Sequence, residues 1–529
     1  MNTLSPTLPR AMWRAMARIC TLHAIALWVV VLALLHRLSP HKPPSSPSPG
    51  CGMPSAVFFS DQLVLPSGIH AAFVHVGDDG TIVHVAPGAS LLHAAAYAAA
   101  RGLRWHDFRG MIISPGLIDA HVHVSAVGGR GWEGYATATQ AAAAGGVTTI
   151  IGMPLNSLPP TVSVAALQLE LASSAEEGLH VDVGLWGGVV PSSLARGELP
   201  PLLADRRVLG LKAFLSPLPP AAGYEALTPP QLHAAGVAAA RASVPLLVHC
   251  ELMSAEEMAR LQARAAADER GARRFAAFLA TRPAEFERRA IEALVGVATE
   301  IESLRAHVVH LSDAGSLPML QRAKRELRGR LSVETCPHYL FFAAEEIPDG
   351  ETRLKCLPPI RSASNRELLW QALLNGTIDM LASDHSPCAP GLRHLSSGDF
   401  LGAWAGISGL QSSLQATWTP ARARGVTPLE LARWWSERPA RLAGLHARKG
   451  SIEVGKDADL VVWEPDAAGL SDRLYTRHPG SPYAGRADLL GRVRATFVRG
   501  RQAFVDHPAE LSGPSHGAAC GQILQRATP

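Results

Sequence analysis

From Met111 onward, apolar runs of strand length recur between Ala-rich stretches of helical character, at 111–124, 147–153, 180–190, 208–215, 244–250, 306–312, 331–335 and 378–384. Parallel strands buried on both faces require such near-continuous apolar runs. Eight of them alternating with helices predict an α/β chain folded as a (β/α)8 TIM barrel over 111–446. Ahead of the barrel, 56–66 and 71–87 read as short β-rich segments, with Asp78-Asp79-Gly80 supplying the turn of a hairpin. Behind it, the stretch from Gly450 to Trp463 reads as strand, turn, strand, and 492–505 adds one more β-rich piece. Because β-rich ends flank the barrel, the economical reading is one small β-sandwich domain assembled from 51–110 and 447–510, with 511–529 as a C-terminal tail. No internal repeat is evident beyond the alternation of strand and helix.

The first fifty residues follow a different logic. Ile19 to Leu35 is apolar apart from Thr21 and His23, follows Arg10, Arg14 and Arg18, and leads into a Pro/Ser run that ends at Gly50. An apolar run behind basic residues is the signature of a signal peptide or signal anchor. The expected destination is therefore the endoplasmic reticulum or another secretory compartment, with a membrane anchor at the N-terminus. The alternatives are an organellar transit peptide or a buried core helix, and the stiff, solvated Pro/Ser linker argues against the core helix.

The 529 residues, 47% of them hydrophobic, are enough for a large core. The net charge of +4 arises wholly from the N-terminal segment, where Arg10, Arg14, Arg18, Arg37 and Lys42 meet no acidic residue. No nucleic-acid surface is implied. Seven cysteines scattered without a CxxC pair predict that most are buried thiols and exclude a zinc finger or a dense disulfide scaffold.

In a barrel of this kind the chemistry sits where the strands end at their C-terminal face. The first predicted strand closes on His121-Val122-His123, and residues two apart on a strand point the same way, so both imidazoles can reach one metal. Lys212 ends the fourth strand, His249 the fifth, His310 the sixth and Asp384 the eighth. A single strand-end histidine is ordinarily a hydrogen-bonded structural residue, and a single lysine snorkels to solvent. Six such residues at five strand ends point instead to one metal site. Cys250, Cys336 and Cys356 fall near it, but none stands in a Cys–His context suited to covalent catalysis.

With these residues in place, the chain resembles the amidohydrolase superfamily, in the branch of dihydroorotases, dihydropyrimidinases and allantoinases, over nearly everything from Ala56 to Val505. The resemblance assigns the HxH pair to His121 and His123, the bridging lysine to Lys212, the later histidines to His249 and His310, and the catalytic aspartate to Asp384. It implies two zinc ions per subunit bridged by carboxylated Lys212. The physics agrees, since an ammonium beside two dications is repelled whereas a carbamate is an anionic bridge. It further implies hydrolysis of a cyclic amide, with Asp384 moving the proton, and a homo-oligomer that is often a tetramer among relatives.

Branch members differ in what surrounds the metals. Dihydroorotases typically carry an arginine two residues after HxH, where this chain has Ser125, and dihydropyrimidinases a tyrosine five residues after the lysine, where it has Pro217. The positive resemblance is to allantoinases. It runs through Trp132-Glu133-Gly134-Tyr135, Met153-Pro154-Leu155-Asn156-Ser157, Val248-His249-Cys250-Glu251, Glu334-Thr335-Cys336-Pro337-His338-Tyr339, Lys355-Cys356-Leu357-Pro358-Pro359 and Ser383-Asp384-His385-Ser386-Pro387. Allantoin opened to allantoate, a step of purine catabolism, is the expected reaction. Asn156, Ser157, Cys356 and Pro358 are the expected substrate contacts. The segments after His123 and after Lys212, from Ser216 to Glu225, depart from the family pattern on the substrate side. The runner-up is a hydantoinase-type or dihydropyrimidinase-type hydrolase. A non-catalytic scaffold of the same fold would have lost metal ligands that this chain retains.

Overall fold

A computed structural model describes residues 51–52, 55–129, 131–218, 224–267, 271–469, 473–506 and 514–527. The apolar segment Ile19–Leu35 lies outside them. Among the described residues no helix is long and apolar enough to cross a membrane.

Two sheets organise the chain from Gly52 onward. The one outside the barrel comprises β1 (Ala56–Leu65), β2 (Gly68–Val76), β3 (Ile82–Pro87), β4 (Arg104–Asp107) and β5 (Ile112–Pro115) from before the barrel. The barrel strands are β6 (Leu117–Val122), β7 (Val147–Gly152), β8 (Asp182–Gly188), β9 (Val208–Phe214), β10 (Pro245–His249), β11 (Arg305–Val308), β12 (Leu331–Thr335) and β13 (Met380–Leu381). β14 (Leu460–Ala468), β15 (Leu490–Val498), β16 (Arg501–Val505) and β17 (Ser515–His516) return to the first sheet. The two ends of the chain meet where β14 pairs antiparallel with β5, Val462 opposite Ile113. This is the small β domain expected of both termini, with a core that includes Phe58, Leu63, Val74, Leu460 and Phe497.

The run 111–124, read as one strand, is two. Gly116 parts them, because a Cβ there would come within 2.2 Å of the Thr148 side chain, and its N–H donates to Asp459 O at 2.9 Å. Thus β5 serves the sheet outside the barrel and only β6 enters the barrel. β6 to β13 pair in sequence order, all parallel. Closure comes through His123 N donating to His385 O at 2.8 Å and a parallel bridge between Val122 and His385. Ala120, Ile151, Trp186, Leu209, Leu247 and Met380 fill the barrel interior. Gly210 leaves room for Trp186, since a Cβ there would lie 2.8 Å from the indole. The Trp186 indole N–H reaches Ala120 O at 2.8 Å, so the polar end of this large buried ring is satisfied.

At the N-terminal end of the strands, Lys449 is buried among Asp459 (2.6 Å), Asp182 (2.8 Å) and Asp457 (3.1 Å). The three carboxylates converge closely enough to suit an ion. Lys449, with Arg499 on Asp182, already supplies the cationic charge, and the cluster joins β8 to the return segment that leads into β14. The tail is anchored too, with Val183 N donating to Gln522 O and Leu524 N to Val183 O, both at 2.8 Å. Cys250, Cys336, Cys356 and Cys388 are buried free thiols as expected, whereas Cys51 and Cys520 are disulfide-bonded.

Candidate active site

The C-terminal ends of the barrel strands surround a cavity of about 890 Å³ lined by His121, His123, Asn156, His249, His310 and Asp384, among others. His121 Nε2 lies 3.3 Å and His123 Nε2 3.5 Å from Asp384 Oδ1. Ligand atoms at about 2.0–2.1 Å from a tetrahedral zinc stand roughly 3.3 Å apart, so this spacing suits one ion. His249 Nδ1 faces His310 Nε2 at 2.9 Å. Because Glu251 takes up His249 Nε2 at 2.9 Å, the Nδ1 lone pair is left bare and turned toward His310, an arrangement that a cation resolves. Lys212 is fully buried and its Nζ has no hydrogen-bond partner among the described residues, and the same holds for His310 Nδ1. Buried polar atoms without partners are uncommon in folded proteins, and these two sit where a metal centre would use them.

Burial holds the His121, His249 and His310 imidazoles below the ordinary histidine range, and Lys212 adds to this by its charge, so the rings are neutral donors. Burial likewise brings Lys212 down to about 8. Asn156, His310 and Asp384 have φ of +64°, +39° and +46°. Non-glycine residues in that region cost about 1–3 kcal/mol each and persist where the surroundings over-determine them, typically at functional sites.

The expected substrate contacts divide. Asn156 lines the cavity, its Nδ2 3.5 Å from His123 Nδ1. Ser157 is turned inward and donates to Glu170 Oε1 at 2.5 Å. Cys356 is buried, its thiol pushed up by burial, and Pro358 has its carbonyl taken by the Tyr339 hydroxyl at 2.6 Å. Leu357, between Cys356 and Pro358, lines the cavity. Cys250 and Cys336 are pushed up by burial as well, which disfavours the thiolate that covalent catalysis needs.

Sequence reasoning missed the residues that aim the ligands. Glu334 accepts from His121 Nδ1 at 2.7 Å and from His307 Nε2 at 3.0 Å. Glu251 stands two residues from His249, on the same side of the strand direction, a spacing that pointed to it. Arg282 and Lys355 line the cavity, and no spacing pointed to Arg282. Trp404 lines it too and packs edge-on against Trp132 with centroids 4.9 Å apart.

The Amidohydrolase family pattern matches residues 112–502. Among similar proteins, the allantoinase of Arabidopsis thaliana is 43% identical over 485 residues, covering 89% of this chain and 90% of its own. The allantoinase of Streptomyces avermitilis is 44% identical, covering 89% of this chain and 98% of its own. Among solved structures, the L-hydantoinase (dihydropyrimidinase) of Arthrobacter aurescens has a TM-score of 0.76 at 28% identity, covering 89% of this chain and 99% of its own.

Proposed function

Because this chain belongs to the amidohydrolase family, we propose that it hydrolyses the cyclic amide of allantoin to give allantoate. The observation that carries the reading is the set of six strand-end residues, His121, His123, Lys212, His249, His310 and Asp384, in a chain similar over nine-tenths of its length to proteins named allantoinase. Two zinc ions would be held by the four histidines and Asp384, with a carboxylated Lys212 between them, and would polarise the amide carbonyl and lower the pKa of water. The buried Lys212 amine, brought down to about 8, has a neutral fraction able to take up carbon dioxide, because burial disfavours the ammonium by more than the nearby Glu334 and Asp384 carboxylates favour it.

An amide carbonyl is a poor electrophile, so the chain's own groups act on orientation and on the proton. Asp384 accepts the proton of the attacking water and returns it to the ring nitrogen as the C–N bond breaks, general base and then general acid. The water oxygen ends in the new carboxylate. Asn156, on the cavity wall, offers an amide to the ring imide.

A substrate panel on the full-length, zinc-loaded chain tests the reading. Ring opening of allantoin at higher kcat/KM than of hydantoin or dihydrouracil is expected, and the reverse order would favour the hydantoinase-type alternative. Metal analysis of the same sample separates an enzyme, with stoichiometric zinc, from a scaffold without it. The family resemblance also supports a homo-oligomer, readable by sedimentation.

We further propose that residues 1–50 deliver the chain to the endoplasmic reticulum, on the ground that an arginine-flanked apolar run precedes a Pro/Ser linker and an enzyme domain. A fluorescent fusion that stays wholly cytosolic would overturn this.

A further inference from the structure

The cavity lined by the metal-site imidazoles also carries two cations that the reaction as described does not use. Arg282 and Lys355 are each 7% exposed, and both line it. The Arg282 guanidinium is poorly supplied. Its Nη1 reaches Glu251 Oε2 and Ser216 Oγ only at 3.4 Å, and its remaining neighbours are the thioethers of Met253 (3.7 Å) and Met258 (3.9 Å). Among the described residues its five N–H donors thus find two long oxygen contacts, and a guanidinium is ordinarily satisfied more fully when buried. Lys355 Nζ donates to Ala403 O at 2.5 Å and Leu401 O at 3.2 Å, lies over the Phe278 ring at 5.2 Å, and makes no ion pair among the described residues.

Two nearly buried cations in one cavity repel each other, and that repulsion, added to burial as the larger cause, brings Lys355 down to about 8. Glu251 offsets only Arg282, and it is committed to His249 at the shorter distance of 2.9 Å. A fold that keeps such a pair facing a ligand cavity is matched to a guest rich in oxygen acceptors or negative charge.

We infer that Arg282 and Lys355 are specificity-determining residues that bind the substituent on the ring carbon rather than the ring amide. The substrate class is then hydantoins whose substituent presents carbonyl or carboxylate oxygens. This rests on the cyclic-amide reading above, in which the substituent of allantoin is a ureido group with one such carbonyl. The strand-end residues act on the scissile amide, and Arg282 and Lys355 supply donors to the substituent.

The test measures kcat and KM of the zinc-loaded full chain and of Lys355→Met and Arg282→Lys for allantoin and unsubstituted hydantoin, with metal content determined for each. Loss of a hydrogen bond from a charged group predicts that Lys355→Met lowers the allantoin-to-hydantoin ratio of kcat/KM by about tenfold to a hundredfold, mainly through KM, at unchanged metal content. Arg282→Lys, which keeps a charge near Glu251, is expected to retain part of the ratio. A fall that is equal for both substrates, or none at all, overturns the inference. Calorimetric titration with hydantoin and hydantoin-5-acetate reads the same preference without turnover. Tighter binding of the acetate by wild type, lost in Lys355→Met, supports the cation pair even if allantoin proves not to be the substrate, and equal binding of the two overturns it.

Discussion

Glu334 Oε1 lies 2.7 Å from His121 Nδ1, with both side chains sealed from water. The carboxylate fixes the ring so that Nδ1 carries the proton and Nε2 is left facing Asp384 at 3.3 Å. The other oxygen of Glu334 does the same for His307, whose Nδ1 is in turn 2.7 Å from Ser332 Oγ. One buried carboxylate therefore sets the direction of a metal-facing ring from behind.

Glu334→Gln is accordingly expected to weaken metal binding by about 10- to 100-fold, because the amide offers a weaker acceptor and one donor edge that opposes an imidazole N–H. Competition with a chelator of known affinity measures this. Unaltered affinity would mean that the ring is held by packing alone.

Asp384→Asn should keep most of the metal and lose rate. The amide oxygen can still face the imidazoles, but it cannot carry a proton between water and the leaving nitrogen. A drop in kcat of about 10²- to 10⁴-fold is expected. Turnover at the wild-type rate with saturating allantoin would remove Asp384 from the proton path.

Lys212→Ala is expected to lose metal content and activity together, since it removes the anion that would offset the repulsion of two dications. A short carboxylic acid added with excess zinc should restore part of both by filling the space of the truncated side chain. Lys212→Arg should be inactive, because guanidinium stays protonated and does not capture carbon dioxide. A fully metallated, active Lys212→Arg enzyme would place the bridge elsewhere.

Lys449→Ala probes stability at the opposite end of the strands. It would leave Asp182, Asp457 and Asp459 buried with Arg499 on Asp182 and Arg448 on Asp457 as cations at the cluster. Breaking a buried ionic cluster by removing one partner costs about 3–5 kcal/mol. Urea unfolding reads that loss, while kcat per metal-loaded folded site should stay near wild type. A midpoint shift too small to detect would mean that the carboxylates take up protons or water at little cost.

The eight barrel strands were legible because burial on both faces leaves an apolar run in the chain, and the metal-site residues because polar side chains interrupt those runs at their ends. His121 and His123 were readable as a pair from the two-residue period of a strand alone. These are local regularities, set by backbone geometry over a few residues. What the spacing left open depended on distant neighbours. Residues 111–124 form two strands because Thr148 leaves no room for a side chain at Gly116. Ser157, adjacent to cavity-lining Asn156, is drawn inward by Glu170.

The sequence by itself determined the barrel, the order of its strands and the positions of six residues at their ends, since each of these follows from spacing along the chain. Only the tertiary structure decided that Glu334 aims His121 across 213 residues, and that Arg282 and Lys355 face the same cavity. Barrel closure brings these groups together from remote segments. Whether a buried charge then serves a neighbouring ring, a carbonyl or a ligand depends on distances of a few tenths of an ångström, which periodicity does not encode.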